Sequence, residues 1–254
     1  MSGRLAIVGL GPGAPGLLAP DAAEALAAAT DLVGYETYLA RVAPRPEQRR
    51  HGSDNREELE RARLALRLAA EGRRVAVVSS GDAGVFAMAA AVFEAVDQGE
   101  PAWRRLDIEV IPGITAMLAA AARVGAPLGH DFCCLSLSDN LKPWPVVLQR
   151  LEAAASADFV LALYNPISQA RPWQLGQALQ RLAAILPATT PVVFATAVSR
   201  PEERIEIVPL AEAAQAAADM RTVILVGSSQ TRLIERGDGR RWVYTPRSCA
   251  GVPA

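Results

Sequence analysis

Short apolar runs alternate with longer amphipathic stretches along the chain. The runs at 5–9, 32–35, 75–79, 108–111, 133–137, 159–164, 192–196, 205–208 and 222–226 predict β-strands. The stretches between them carry helical spacing, most clearly over 55–71. There Leu59, Ala62, Leu66 and Ala69 fall on one face, and Glu57 and Arg61 form an i,i+4 pair on another. Asp54 stands three residues before Glu57, the spacing of a capping box, and Gly72 suits the position after the last turn. Strands alternating with helices predict mostly parallel or mixed sheets with crossover connections. The predicted strands are too many for one small sheet, and a Gly/Pro break lies at 125–129. The expected organisation is two α/β domains, 1–125 and 126–254.

Composition narrows the function. The chain has 254 residues, 51% hydrophobic and 21% charged, with a formal net charge of -1. That balance offers no basic stripe for nucleic acid. No apolar run approaches the ~20 residues of a membrane span, and the first apolar run is too short for a signal peptide. Cys133, Cys134 and Cys249 are an odd set without CxxC spacing, which fits thiols in a reducing cytoplasm rather than a disulfide framework or metal site. Cys133 and Cys134 should face opposite sides of their strand. With His51 and His130 as the only histidines, no His-rich metal centre is expected.

Ligands of open α/β sheets bind beyond the carboxyl ends of the strands. Six strands run into small-residue turns there: GPGAPG (11–16), SSGDAG (79–84), PGITA (112–116), LYNP (163–166), TAVS (196–199) and VGSS (226–229). Small residues let main-chain groups approach a polar small molecule closely. Gly11-Pro12-Gly13-Ala14-Pro15-Gly16 formally matches the dinucleotide fingerprint, and Glu36 stands where a ribose-binding acid would. Against that reading, Pro12 and Pro15 lack N–H groups and the helical pattern begins only at Pro20-Asp21, so no helix N-terminus meets a pyrophosphate. Asp82 reads either as a ligand-binding acid or as the cap of a helix near Val85. His130 reads as a proton shuttle or a structural histidine. Arg45–Arg50 reads as a solvated face. No HExxH, GxSxG or Walker A lysine occurs.

Taken together and in order, GLGPGAPGLLAP, SSGDAG and PGITA resemble the tetrapyrrole (class III) S-adenosylmethionine-dependent methyltransferases, from about residue 4 to 235. GYETYL (34–39), HDFCCLSLSDNLKPW (130–144) and ALYNPISQAR (162–171) are similar to members that act on corrin precursors. Phe86 and Ser228 depart from the Tyr and Asn often found at those places. The resemblance implies two α/β domains with a cleft between them, a homodimer, and S-adenosylmethionine held mainly by main-chain groups. It implies cofactor contacts at Pro12, Ser80, Gly81, Asp82, Thr115, Ala116, Asn165, Ala197 and Val226. The implied acceptor is precorrin-3B, methylated at C17 with ring contraction to precorrin-4. Asp82, His130 and Ser138 are the expected proton-handling groups. Gly11, Gly13, Arg56 and Arg171 are the expected substrate contacts, the arginines meeting carboxylates bidentately. Two alternatives remain open: another precorrin position, or a Rossmann-type NAD-dependent oxidoreductase.

Overall fold

The computed structural model describes residues 3–54 and 57–248; Arg56 and Cys249 lie outside them. The chain divides into two compact units, Met1–Thr115 and Ala116–Ala254.

The first unit contains β1 (Arg4–Gly9), α1 (Pro20–Ala28), β2 (Asp31–Tyr35), α2 (Glu36–Leu39), β3 (Arg49–Ser53), α3 (Glu58–Ala70), β4 (Arg74–Ser79), α4 (Met88–Gln98) and β5 (Asp107–Ile111). Its five strands form one sheet in the order β3-β2-β4-β1-β5, and every pairing is parallel. Both faces are covered, so the central strands carry continuous apolar runs, Leu5 to Val8 and Val75 to Val78, rather than alternating ones. Leu5, Ile7, Val75 and Val77 pack under α3 and α4, whereas Ala6, Val8, Ala76 and Val78 pack under α1 and α2. The chain leaving β1 therefore turns to one face of the sheet, and the chain leaving the adjacent β4 turns to the other. A crevice opens at such a switch point.

The second unit contains α5 (Ala116–Val124), β6 (Gly125–Ala126), β7 (Phe132–Ser136), α6 (Trp144–Ser156), β8 (Val160–Tyr164), α7 (Gln174–Ala183), β9 (Pro191–Thr196), β10 (Arg204–Pro209), β11 (Thr222–Val226), β12 (Arg232–Glu235) and β13 (Arg241–Tyr244). The main sheet runs β10-β9-β11-β8-β7. Only β7 and β8 are parallel; β11 is antiparallel to both β8 and β9. Leucines of α6 and α7 cover one face, and the alanines of α5 lie against Val193, Val223 and Leu225 on the other. The 116–124 helix, expected in the first half, thus packs in the second unit.

Several local expectations change. The third helix starts at Glu58 with Glu57 as its N-cap and no side-chain cap bond, so Asp54 and Glu57 make no capping box. Arg61 does not pair with Glu57 on the surface. It is buried, donating to Ser53 Oγ (2.9 Å) and the Asp54 carbonyl (2.5 Å), because the turn before the helix offers it acceptors. Gly72 does follow the last turn, at φ 87°, with its N–H on the Ala69 carbonyl. Arg49 and Arg50, read as the end of a solvated face, open the edge strand β3, which runs over residues 49–53.

That edge strand is held by a buried carboxylate. Asp31 is 1% exposed and accepts from Arg73 Nη1 (2.9 Å) and Thr30 Oγ1 (2.9 Å), with His51 Nε2 of β3 at 2.8 Å. Burial alone would raise its pKa, but the hydrogen bonds from His51, Thr30 and Arg73 outweigh burial and lower it. A carboxyl whose folded pKa is lowered stabilises the fold fully above its unfolded pKa, near 4, and loses that contribution as pH falls through the folded value. Asp31→Ala should cost roughly 2–3 kcal/mol at neutral pH in urea denaturation. The gap to the parent protein should close in acid, below about pH 4.

Candidate active site

The turns after β1, β4 and β5 meet at the switch point of the first unit. Gly11 and Gly81 form an isolated antiparallel bridge, Gly11 N to Gly81 O at 3.0 Å and Gly81 N to Gly11 O at 2.9 Å. Both have positive φ (67° and 65°), a conformation open to glycine and costly for most other residues. A Cβ on Gly9 would lie 2.7 Å from Gly113 N and 2.8 Å from the Gly81 carbonyl oxygen, and one on Gly113 would collide with the same carbonyl. Three neighbouring strand ends are thus in backbone contact. Pro12 is buried beside this contact and Gly13 is half-buried.

Two charged side chains lock the turns. Asp82 does not cap the following helix, which begins only at Met88, where Ser79 Oγ accepts the Met88 N–H at 3.2 Å. Its Oδ1 accepts Gly84 N (2.7 Å) and its Oδ2 accepts Gly113 N (2.9 Å), so one carboxylate joins the turns after β4 and β5. Arg41, which no sequence motif marked, joins the turns after β1 and β4. It donates to Ser80 Oγ (2.9 Å) and to the carbonyls of Leu10 (3.1 Å) and Gly11 (2.8 Å). Of the residues expected from sequence, Gly11, Pro12, Gly13, Ser80, Gly81 and Asp82 are brought together here. Thr115, which ends this unit, is buried in the continuation of the Gly113 turn.

In the second unit, one end of the main sheet collects polar groups. Asn165 Nδ2 donates to Ser136 Oγ (2.9 Å), which also accepts Ser138 N (3.3 Å). Tyr164 Oη accepts Met117 N (2.9 Å), the first turn of the helix that Ala116 opens. The register puts Thr196 opposite Thr222 at this end, with 2.8 Å between their hydroxyls. Asn165 and Ala197 have φ of 52° and 51°. Non-glycine residues in this region store strain, and such residues concentrate at functional sites. Arg171 is buried rather than presented to solvent. Its Nη1 donates to the carbonyls of Asn165 (3.2 Å) and Leu137 (3.4 Å), so it shapes the Asn165 turn.

Two expected residues do not join this group. Val226 ends β11, which runs antiparallel to β8, so it pairs with Leu161 and Val192 at the far end of the sheet and is fully buried. The carboxyl-end rule applies to parallel strands and misplaces an antiparallel one. His130 precedes β7 while Ser138 follows it. Five strand residues rise on the order of 17 Å, so these two side chains cannot serve one reacting atom. Cys133 packs on the α6–α7 side and Cys134 on the α5 side, as their alternation requires. Burial raises both thiols, Cys134 to about 11, which leaves neither as a ready nucleophile. Among the described residues no group of three or more His, Cys, Asp or Glu could hold a metal, and no helix is long and apolar enough to cross a membrane. Gly9→Ala should lower stability by about 1–3 kcal/mol, because the three strand ends must separate. Gly16→Ala, whose Cβ meets nothing within 4 Å, should be near neutral in the same urea titration.

A family model for Tetrapyrrole (Corrin/Porphyrin) Methylases matches residues 4–214. The chain is 57% identical over 252 residues to a protein of Sinorhizobium sp named precorrin-3B C(17)-methyltransferase, covering 99% of each. Among solved structures, the methyltransferase CobJ superposes with a TM-score of 0.90 at 52% identity, over 96% of this chain and 100% of that one. A uroporphyrin-III C-methyltransferase from Thermus thermophilus, solved with S-adenyl homocysteine, shares the fold at 23% identity and a TM-score of 0.65, over 89% of this chain and 92% of that one. With a parallel first sheet, a mixed second sheet and this match over most of its length, the chain belongs to the tetrapyrrole methylase family.

Proposed function

We propose that this protein is a methyltransferase of cobalamin biosynthesis that methylates precorrin-3B at C17, coupled to contraction of the macrocycle to precorrin-4. The observation that carries the reading is the 57% identity to a named precorrin-3B C(17)-methyltransferase across nearly the whole of both chains. Bound S-adenosylmethionine would supply an electrophilic methyl group on a sulfonium centre. The residues fit such a partner better than a nucleotide phosphate. Pro12 and Pro15 can donate nothing, and Gly11 N–H is already on Gly81.

Methyl transfer needs a carbon nucleophile in line with the methyl, so positioning is the main task of the protein. The backbone at Pro12, Ser80 and Gly81 is held rigid by the Gly11–Gly81 bridge and by Arg41, giving a fixed wall of main-chain groups. Asp82 keeps lone pairs beyond those used for Gly84 and Gly113, enough to accept from an ammonium. Thr115 is a further assigned cofactor contact of the first unit, and Ala116, Asn165 and Ala197 are those assigned in the second. Asp82 and Ser138 remain the groups assigned to the proton movements of ring contraction; His130, at the far end of β7, is given no step. We further take the working protein to be a cytoplasmic homodimer, which sedimentation would test.

Incubation with precorrin-3B and methyl-labelled S-adenosylmethionine should yield a tetrapyrrole one methyl heavier with the absorption change of a contracted ring. An unchanged tetrapyrrole, or a methyl at another ring position, would overturn the reading. Titration calorimetry should show binding of S-adenosylhomocysteine and not NAD; the reverse would restore the oxidoreductase alternative. Asp82→Ala should weaken S-adenosylhomocysteine at least tenfold, since the Gly84 and Gly113 amides lose their acceptor and the wall relaxes.

A further inference from the structure

A cavity of about 310 Å³ lies within the first unit beside the glycine-rich turn, and it shares with the expected substrate contacts only Gly13. Gly13, Ala14, Pro15, Leu18 and Leu26 are among the residues that line it. Three polar side chains line it: Arg41, Arg45 and Gln48. No Asp or Glu does. An apolar chamber with two guanidinium groups and no acid selects an anion carried on a short hydrocarbon arm.

The basic wall combines a buried Gln48, a part-buried Arg41 and an exposed Arg45. Gln48 is buried, and its Nε2 donates to the carbonyls of Leu26 (2.6 Å) and Ala29 (2.8 Å) at the end of α1. Arg45 Nη1 reaches the Ala27 carbonyl (3.1 Å) on the same helix end. Pro44 and Pro46 flank Arg45 and restrict its backbone before any ligand arrives. That single bond leaves most of the five guanidinium donors of Arg45 for another acceptor, and no carboxylate pairs with it among the described residues. Arg41, on the inner side, is anchored to Ser80 and to the Leu10 and Gly11 carbonyls, which links the cavity to the wall of the active site.

We propose that this cavity is a carboxylate subsite: it receives one carboxylate-bearing side arm of the tetrapyrrole acceptor, with Arg45 as the ion-pairing group. The proposal rests on the acceptor class given above and adds where one of its acidic arms is read. It makes Arg45 a specificity residue that raises substrate affinity without touching the methyl donor.

Two measurements separate the subsite from the reaction. Equilibrium binding of uroporphyrin III, a polycarboxylate macrocycle, is compared with that of its methyl ester by absorption titration. Turnover of precorrin-3B is followed in parallel. The acid should bind the parent protein and lose about tenfold in Arg45→Gln, with part restored in Arg45→Lys. The ester should bind weakly and equally to all three. Ala43→Glu, which puts a rival carboxylate on the exposed rim, should weaken the acid without lowering the melting temperature. In turnover, KM for precorrin-3B should rise about tenfold in Arg45→Gln with kcat and S-adenosylhomocysteine affinity unchanged. Binding of the acid that is absent, or indifferent to Arg45→Gln and Ala43→Glu, would overturn the subsite even if precorrin-3B is turned over. Arg45-dependent binding without turnover would keep the subsite and overturn the assigned reaction.

Discussion

The contact on which the first unit depends is the one among Gly9, Gly81 and Gly113. These residues end or follow three adjacent strands, and their backbones approach within distances that leave no room for a Cβ. A parallel sheet with helices on both faces opens at its switch point, and side chains usually fill the gap. Here main chain meets main chain, so every later feature is referred to a rigid frame. The Gly11–Gly81 bridge extends the β1–β4 pairing past the end of the sheet. Asp82 then carries the same tie across to the turn after β5. Arg41 fastens the other side. One carboxylate and one guanidinium, each hydrogen-bonded to main chain, replace the packing that side chains would have supplied.

Much of this architecture was legible in the sequence. Each apolar run read as a strand is one; in β1, β2, β4, β8, β9 and β11, burial on both faces demands continuous hydrophobicity, and the partly exposed β5, β7 and β10 keep enough of it to be read. The missed strands are those without that pressure. The polar β3 is an edge strand, RRHGS, held through His51 and its backbone ladder rather than by an apolar face. The strands of the small β12-β13-β6 sheet are short, and β6 has two residues. The turns of the first unit were legible for a related reason: glycine at a strand end is conspicuous where close approach requires it. Arg41 was not. A lone arginine after a short helix has no periodicity, and its partners lie 30 to 39 residues away along the chain.

Strand direction limited the reading of the second unit. Small-residue turns after β8, β9 and β11 look alike in sequence, yet β11 runs against its neighbours on both sides. Its final turn therefore emerges at the opposite end of the sheet, where Ser229 is bonded to Asp158 instead of standing near Asn165. The group that β11 contributes at the Asn165 end is its first residue, Thr222, a position no turn motif marks. Composition at strand ends thus identifies sites only after direction is known. A parallel sheet supplies direction through its crossovers; a mixed sheet does not.

The same glycine spacing can serve opposite electrostatic purposes, and hydrogen-bond donors decide which. A phosphate cradle needs several amide N–H groups converging on one anion, with a helix N-terminus behind them. In residues 11–18 five of the eight positions have their donor removed or already used. Pro12 and Pro15 have none, Gly11 N–H is bonded to Gly81, and Leu17 and Leu18 N–H are bonded to Ala14 and Pro15. The helix begins only at Pro20. Positive charge next to this loop comes instead from Arg41 and Arg45, set on the connection between α2 and β3. A loop that removes or uses most of its amides while its neighbours offer guanidinium groups is suited to an acid carried on a side arm. It is a poor seat for a pyrophosphate drawn into the turn itself.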